Sequence, residues 1–398
     1  MKQILSIAYY EVRHIFKDPV AFCILFIVPL AFTLLFGSVY GSNMLRDVPI
    51  ALVDLDNSTA SQEVKTVFAN NDHFVINEDI KTYADFEKAM KEGEVRGGLV
   101  IPDDFSSKLS QHQNTQILTV YEGSNLIWGY SIRKFAFEGI DEFNTVHARS
   151  YMTEMGMSAP DIDEVLNMVT IKINTWYNPN YGYINFLFMG VVFLLLHQLG
   201  LLGVSLTINR EKESNTWIQF MCSSLSKTQI VLGKCLPYLV MNLFNYFLLL
   251  YVANSFVHAK IEGGILIITL LGLLYATSIT FLGFFISAHT PNSLQVSRYL
   301  ILVSIPLFMI SGYTWPSYRI PAVITAISKI SPFTWMAPTF RNATVKNLGM
   351  QDLWPSITGL VIMTLLFIFL AFMFRKDQKP ATGKGLSVNS GADLPRRV

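Results

Sequence analysis

Acidic and basic side chains are scarce in this chain: they make up 15% of its 398 residues, while 51% are hydrophobic. Soluble domains carry roughly 25% charged residues, so the shortage points to a membrane protein. Cysteine is scarcer still. The three present, Cys23, Cys222 and Cys235, lie outside residues 41–182, which excludes a disulfide scaffold for the most charged part of the chain. No G-x-x-x-x-G-K-[ST] occurs, so the chain lacks the loop whose backbone N–H groups cradle phosphates; "TGKGLS" near the end has no upstream glycine or strand. G-x-S-x-G and H-E-x-x-H are also missing, which removes two hydrolase signatures. The net charge of +1 leaves no basic excess for a nucleic-acid partner.

Long apolar runs are what the chain does have. About 20 apolar residues cross a bilayer as a helix, because each backbone polar group must be paired within the segment. Six segments qualify: residues 20–40, 184–208 and 236–257, a fourth ending near Ala288, then 299–313 and 353–374. The first exceeds the apolar core of a signal peptide and is expected to be retained. Lys and Arg set the orientation. With both termini cytoplasmic, the cytoplasmic pieces are residues 1–19, 209–235, 289–298 and the tail 375–398. Together they carry 14 bases and 6 acids. The four bases of the opposite loop 314–352, Arg319, Lys329, Arg341 and Lys346, run against this assignment.

Residues 41–182, with 21 acids and 11 bases, then form an extracytoplasmic domain. Ile50–Val53 reads as a strand, Asn57 and Ser58 as helix N-caps, and Ala60, Val64, Val67 and Phe68 as a helix face. "HFVI" is the next strand. A helix from Asp85, a turn at Gly97–Gly98, a strand Leu99–Ile101, a helix from Asp103 and a strand in "TQILTVYEG" follow. This alternation predicts a small α/β domain. Asp54, Asp56, Asp103 and Asp104 could be drawn together as a metal or acid/base set, but turn and cap residues are the better reading. His73, His112 and His147 lack ligand spacing. The fold class is thus an α-helical integral membrane protein with six transmembrane helices and an inserted extracytoplasmic α/β domain.

Between the second and third spans stands "NREKESNTWIQFMCSSLSKTQIVLGKCLPYL", with Arg210, Glu211, Lys212 and Glu213 in a row. Trp217, Phe220 and Met221 fall on one helical face, which predicts a short helix along the membrane, apolar side in and acids outward. This stretch resembles the first cytoplasmic loop of the ABC-type 2 exporter permeases, with R-E-x-E-x-G-T followed by G-K-x-x-P: Arg210, Glu211, Glu213, Thr216, Gly233, Lys234 and Pro237 match. Asn215 stands in place of the glycine, and Ser224 where a proline is usual. "ILSIAYYEVRHIFKDP" is similar to the family's N-terminal amphipathic interfacial helix (1–19), with an apolar stripe of Leu5, Ala8, Val12, Ile15 and Phe16. Residues 314–352 look like its outer re-entrant segment, broken by Pro316, Pro321, Pro332 and Pro338.

The resemblance implies the membrane permease of an ATP-driven exporter, not itself an enzyme. Its cytoplasmic ABC ATPase subunits, which hold the ATP and Mg, would dock on the loop through Arg210, Glu211, Glu213, Thr216 and Lys234. It implies no cofactor on this chain, a second copy or a related permease as partner, and a bacterial inner-membrane location. Polar residues inside spans mark a substrate pathway or bind helices together; the candidates are His197, Gln198, Asn242, Asn245 and Tyr238. The spans carry no acid or base at their centres. This disfavours a proton- or sodium-driven carrier and suits a lipid-like, drug-like or other amphipathic substrate. Two rival readings use the extracytoplasmic domain instead: a membrane-anchored sensor, or a scaffold for a periplasmic or cell-envelope partner. The tail from Lys379 is expected to be disordered.

Overall fold

The computed structural model describes residues 1–41, 47–124, 126–167, 177–178 and 184–374; the tail, expected to be disordered, lies outside them. The chain divides into two compact units, Met1–Gly41 with Tyr177–Val398, and Ser42–Trp176.

In the second unit, strands β1 (Val48–Asp54), β2 (Phe74–Asn77), β3 (Gly97–Ile101) and β4 (Leu118–Tyr121) form one sheet in the order β2-β1-β3-β4. β1 pairs in parallel with β2 and β3, and β4 closes the edge antiparallel to β3. Side chains alternate across a strand. Accordingly Val48, Ile50 and Leu52 pack with Val64, Phe68 and Phe135 on one face, while Ala51 and Val53 meet Phe86 and Ala89 on the other. Ser58, not Asn57, caps the first helix, its hydroxyl accepting from the Ser61 N–H. Gly97 and Gly98 are strand residues, not the expected turn. A Cβ at Gly98 would lie 2.6 Å from the Ala51 carbonyl oxygen and against Phe86, so only glycine lets the helix press onto the sheet there.

Asp54 and Asp56 hold a turn and a helix start. Asp54 accepts from the Asp56 and Asn57 N–H groups and the Ser61 hydroxyl, and pairs with Lys65 at 3.0 Å. Burial pushes the Asp54 pKa up, but these partners outweigh it and hold the carboxyl below its ordinary value. Asp56 accepts from Ser106, and Asp104 pairs with Lys108 at 2.5 Å. Among the described residues no cluster of three metal-ligating side chains occurs.

Among the described residues, the first unit contains six helices long and apolar enough to cross a membrane: Pro19–Tyr40, Ile184–Glu213, Lys227–Ser255, Ile265–His289, Ser293–Ile310 and Met350–Phe372. Hydropathy marks their centres but misplaces some ends. The second span continues as helix through the charged residues to Glu213, and the third starts at Lys227, nine residues before the apolar run. A helix ends where its backbone pairing ends, and Ser226 supplies that start with a capping box to Gln229. Between the fifth and sixth spans lie helices Ala322–Ser328 and Pro332–Thr344. The latter buries Phe333, Met336, Ala337 and Phe340 in the bundle core.

The first span contains a π-helical segment, Cys23–Ile27. Its cause is local. An α-helix would bond the N–H of residue 29 to the Leu25 carbonyl, but residue 29 is proline, which has no N–H and crowds that carbonyl. Asn245 of the third span supplies the donor, its Nδ2 lying 2.7 Å from the Leu25 oxygen. Removing Asn245 strands a buried acceptor. Asn245→Leu is expected to cost about 1 kcal/mol in a detergent unfolding curve. The penalty should shrink in a Pro29→Ala background, where residue 29 regains its N–H. An equal penalty in both backgrounds would show that Asn245 does not act through this carbonyl.

Candidate functional site

Consecutive helix residues point about 100° apart, given 3.6 residues per turn. The last turn of the second span uses this to send four adjacent charges to four different elements. Arg210 reaches the N-terminal helix Lys2–Lys17, with Nη2 3.1 Å from Glu11 Oε2 and Nη1 3.2 Å from His14 Nδ1. Glu211 turns to the third span, 3.3 Å from Lys234 Nζ, and accepts from the Thr216 hydroxyl at the foot of the short loop helix Trp217–Cys222. Lys212 donates to the Ser287, Ala288 and Thr290 carbonyls at 2.8–3.0 Å. These are orphan acceptors at the negative end of the fourth span. Glu213 accepts from the Ser293 N–H at 2.7 Å, at the positive start of the fifth span.

Glu11 is the centre of the buried part of this junction. It is 1% exposed, and Lys234 is fully buried. Lys234 Nζ lies 2.6 Å from Glu11 Oε1, the shortest ion pair of the group, and 5.0 Å above the Phe220 ring. The other oxygen, Oε2, accepts from Thr207 at 3.0 Å and Tyr238 at 3.4 Å, as well as from Arg210. Burial pushes the Glu11 pKa up, but Lys234 and Arg210 override it and hold the carboxyl below its ordinary value. Burial, reinforced by Arg210, lowers that of His14. Two acids and two bases therefore balance inside the junction. A groove of about 600 Å³ opens beside it, lined by Tyr9, Tyr10, Glu11, Arg210, Thr216 and Phe220 among others.

The structure brings together Arg210, Glu211, Thr216 and Lys234, and sets Glu213 one step away. It corrects how they face. Glu211 is not turned outward but held inside by Lys234 and Thr216, and Lys234 has no exposed surface to offer a partner. On the loop helix the exposed positions are Ile218, Gln219 and Cys222. The N-terminal helix is also rotated from its expected stripe: it buries Ala8, Glu11 and Ile15, while Leu5 and Phe16 are each 58% exposed. Sequence reasoning missed Glu11. The available signal was a lone carboxylate at i+3 from Ala8 and i−4 from Ile15, on the buried face of an otherwise apolar helix.

The polar residues inside the spans do not form one cluster. Tyr238 belongs to the junction, and Asn245 to the π-segment. Asn242 donates to Thr280 of the fourth span at 3.1 Å. His197 is buried, its ring 6.0 Å from that of Tyr275 and 5.8 Å from Phe333; its Nδ1 has no hydrogen-bond partner among the described residues. Gln198, next to it, is half-buried.

Comparison with known proteins covers most of the chain. A family model described as ABC-2 family transporter protein matches residues 20–373. The chain is 22% identical over 393 residues to the "Probable multidrug ABC transporter permease YbhS" of Escherichia coli K12, covering 94% of this chain and 97% of that one. It is 22% identical to YbhR of the same organism, also named a probable multidrug ABC transporter permease, over 92% of this chain and 96% of the relative. The "Linearmycin resistance permease protein LnrN" of Bacillus subtilis is 22% identical, with 94% and 98% covered.

Proposed function

Because the chain belongs to the ABC-2 transporter family, we propose that it is the membrane permease of an ATP-driven exporter that moves a lipid-like, drug-like or other amphipathic molecule outward. The observation that carries this reading is the extent of the family match, from the start of the first span to the end of the sixth. The names of the multidrug and linearmycin-resistance relatives support an amphipathic substrate. Hydrolysis falls to a separate ABC ATPase, since the sequence contains no phosphate-binding loop. Six spans form half of a transport unit, completed by a second copy or a related permease. Both termini are cytoplasmic, residues 41–182 extracytoplasmic, and the loop helix Trp217–Cys222 meets the ATPase.

The junction gives that loop a mechanical meaning. Thr216 ties the loop helix to Glu211, and Glu211 is tied to the third span through Lys234. Arg210, Glu211, Thr216 and Lys234 then act as the stiff mounting of the contact, with Ile218, 47% exposed, on its outer face. Driving the spans between two arrangements requires the ATPase to contact them differently in each.

The test is a detergent pull-down of the tagged chain with an ATPase assay on what co-purifies. A P-loop ATPase should accompany the wild type and be lost or uncoupled in Ile218→Asp and Glu213→Lys. ATP-dependent uptake of a fluorescent amphiphile into inverted membrane vesicles tests direction. Recovery of no ATPase under mild conditions would leave the transporter without its motor and overturn the reading.

A further inference from the structure

We infer that Glu11 is a positioning residue that makes the N-terminal helix and the loop helix Trp217–Cys222 move as one piece. The inference rests on the loop helix being the ATPase contact. It adds a second moving element that no surface contact would reveal.

Three buried residues join the N-terminal helix to the bundle. Its buried face consists of Ala8, Glu11 and Ile15. Ala8 is small, and Ile15 packs in the cluster that holds Leu25, Val204, Ile208 and Ile230. Apolar contacts of this kind are non-directional, so by themselves they do not single out one orientation of the helix. Glu11 removes that freedom. Its two oxygens take four donors from two spans: Lys234, Arg210, Thr207 and Tyr238 within 3.4 Å, with Arg210 and Lys234 charged. Charge-assisted hydrogen bonds are about twice as strong as neutral ones and are directional.

The loop helix is fixed to the same charges from the other side. Thr216 donates to Glu211, which shares Lys234 with Glu11. Phe220 of the loop helix lies under the Lys234 ammonium at 5.0 Å. One buried ammonium thus holds both helices, and a push on the loop helix reaches Lys234 and Glu11 before any lipid-facing surface. A buried ion pair has few alternative partners, because breaking it leaves an uncompensated charge. The junction therefore transmits displacement where a purely apolar seam would absorb it.

The experiment uses the full chain with its co-purified ATPase in nanodiscs, in a Cys23→Ser background. One spin label sits on native Cys222 of the loop helix and a second at Tyr9→Cys, an exposed position of the N-terminal helix. A control pair joins Cys222 to Phe256→Cys at the far end of the third span. On trapping with ATP and vanadate, the control distance should change in the wild type, while the 9–222 distance stays single and constant. In Glu11→Gln the control should still respond, but the 9–222 distance should gain a second, displaced population after trapping. Glu11→Asp, which keeps the charge, should suppress that population. An unchanged single 9–222 distance in Glu11→Gln overturns the inference and leaves the transport reading intact. A wild-type control pair that ignores nucleotide overturns the loop-helix contact, and the inference with it. Should Glu11→Gln fail to accumulate, Thr207→Val removes only the hydroxyl 3.0 Å from Glu11 Oε2. A second population on trapping then supports the role, and an unchanged distance overturns it.

Discussion

Lys234→Met is expected to destabilise the chain by about 3–5 kcal/mol, the cost of removing one partner from a buried ion group. Lys234 is fully buried, and Glu11 is 1% exposed. With the ammonium gone, Arg210 is the cation left within 4 Å of Glu11 among the described residues, at 3.1 Å, and Glu211 keeps Arg210 at 3.7 Å. One guanidinium then faces two carboxylates. Two further measurements separate this cause from lost packing. Adding Glu11→Gln should recover part of the loss, because one carboxylate then balances one guanidinium; a simple packing defect would not be relieved. The second is pH dependence. In the wild type the Glu11 pKa is held below its ordinary value of 4.5 by Lys234 and Arg210 against the effect of burial. Its stabilising contribution is therefore complete above pH 4.5 and is lost as pH falls through the lowered value. In Lys234→Met the balance moves toward burial, so the folded state takes up a proton more readily. The deficit relative to wild type should narrow as pH is lowered from 7 toward 5. A deficit constant over that range would show that the ion pair is not what was lost.

Gly272→Val should be nearly as damaging, for a reason without charge. A Cβ at Gly272 would sit 2.3 Å from the ring of Tyr246 on the third span. Tyr246 cannot retreat. It is 1% exposed, its hydroxyl donates to the Ile268 carbonyl at 2.9 Å, and Phe193 and Phe340 stand against its ring at 6.1 and 6.4 Å. Overpacking a well-filled core typically costs about 1–3 kcal/mol and sometimes more; a β-branched side chain against a pinned aromatic ring belongs at the upper end. The expected readout is a chain that fails to accumulate as a monodisperse species in detergent, with Tyr246→Ala in the same chain restoring it. Wild-type unfolding of Gly272→Val would contradict the close approach of the third and fourth spans.

The six spans were legible because a bilayer imposes a length and a composition on any helix that crosses it. Their ends were less so. Hydropathy stops at the first charge, whereas the second span continues as helix through Arg210, Glu211, Lys212 and Glu213. The charged row was recognisable as unusual, and its likeness to a permease loop pointed to the family. What the charges touch could not be read. Glu11 and Lys234 are 223 positions apart, and no local pattern pairs a carboxylate on one amphipathic helix with an ammonium inside a distant apolar one. The π-segment was hidden similarly: Pro29 announces a disturbed helix, but its remedy, Asn245, comes from another span. In the Ser42–Trp176 unit, apolar runs announced strands, while Gly97–Gly98 looked like a turn because glycine marks both turns and places where another chain segment must come close.

The four-way junction also constrains how the protein is made. Ribosomes add about 5–20 residues per second, so Lys234 follows Glu11 after roughly ten to forty-five seconds, given the 223 positions between them. The carbonyls that receive Lys212, at Ser287, Ala288 and Thr290, arrive later still. Until Arg210 and then Lys234 have emerged, the nascent N-terminal helix bears a carboxylate without the partners that hold it in the folded chain, and it waits at the water-facing boundary of the bilayer rather than settling. The N-terminal helix is thus among the last to be seated, and a chain interrupted before its third span holds Glu11 by Arg210 without the Lys234 ammonium, by which an unfinished molecule differs chemically from a finished one.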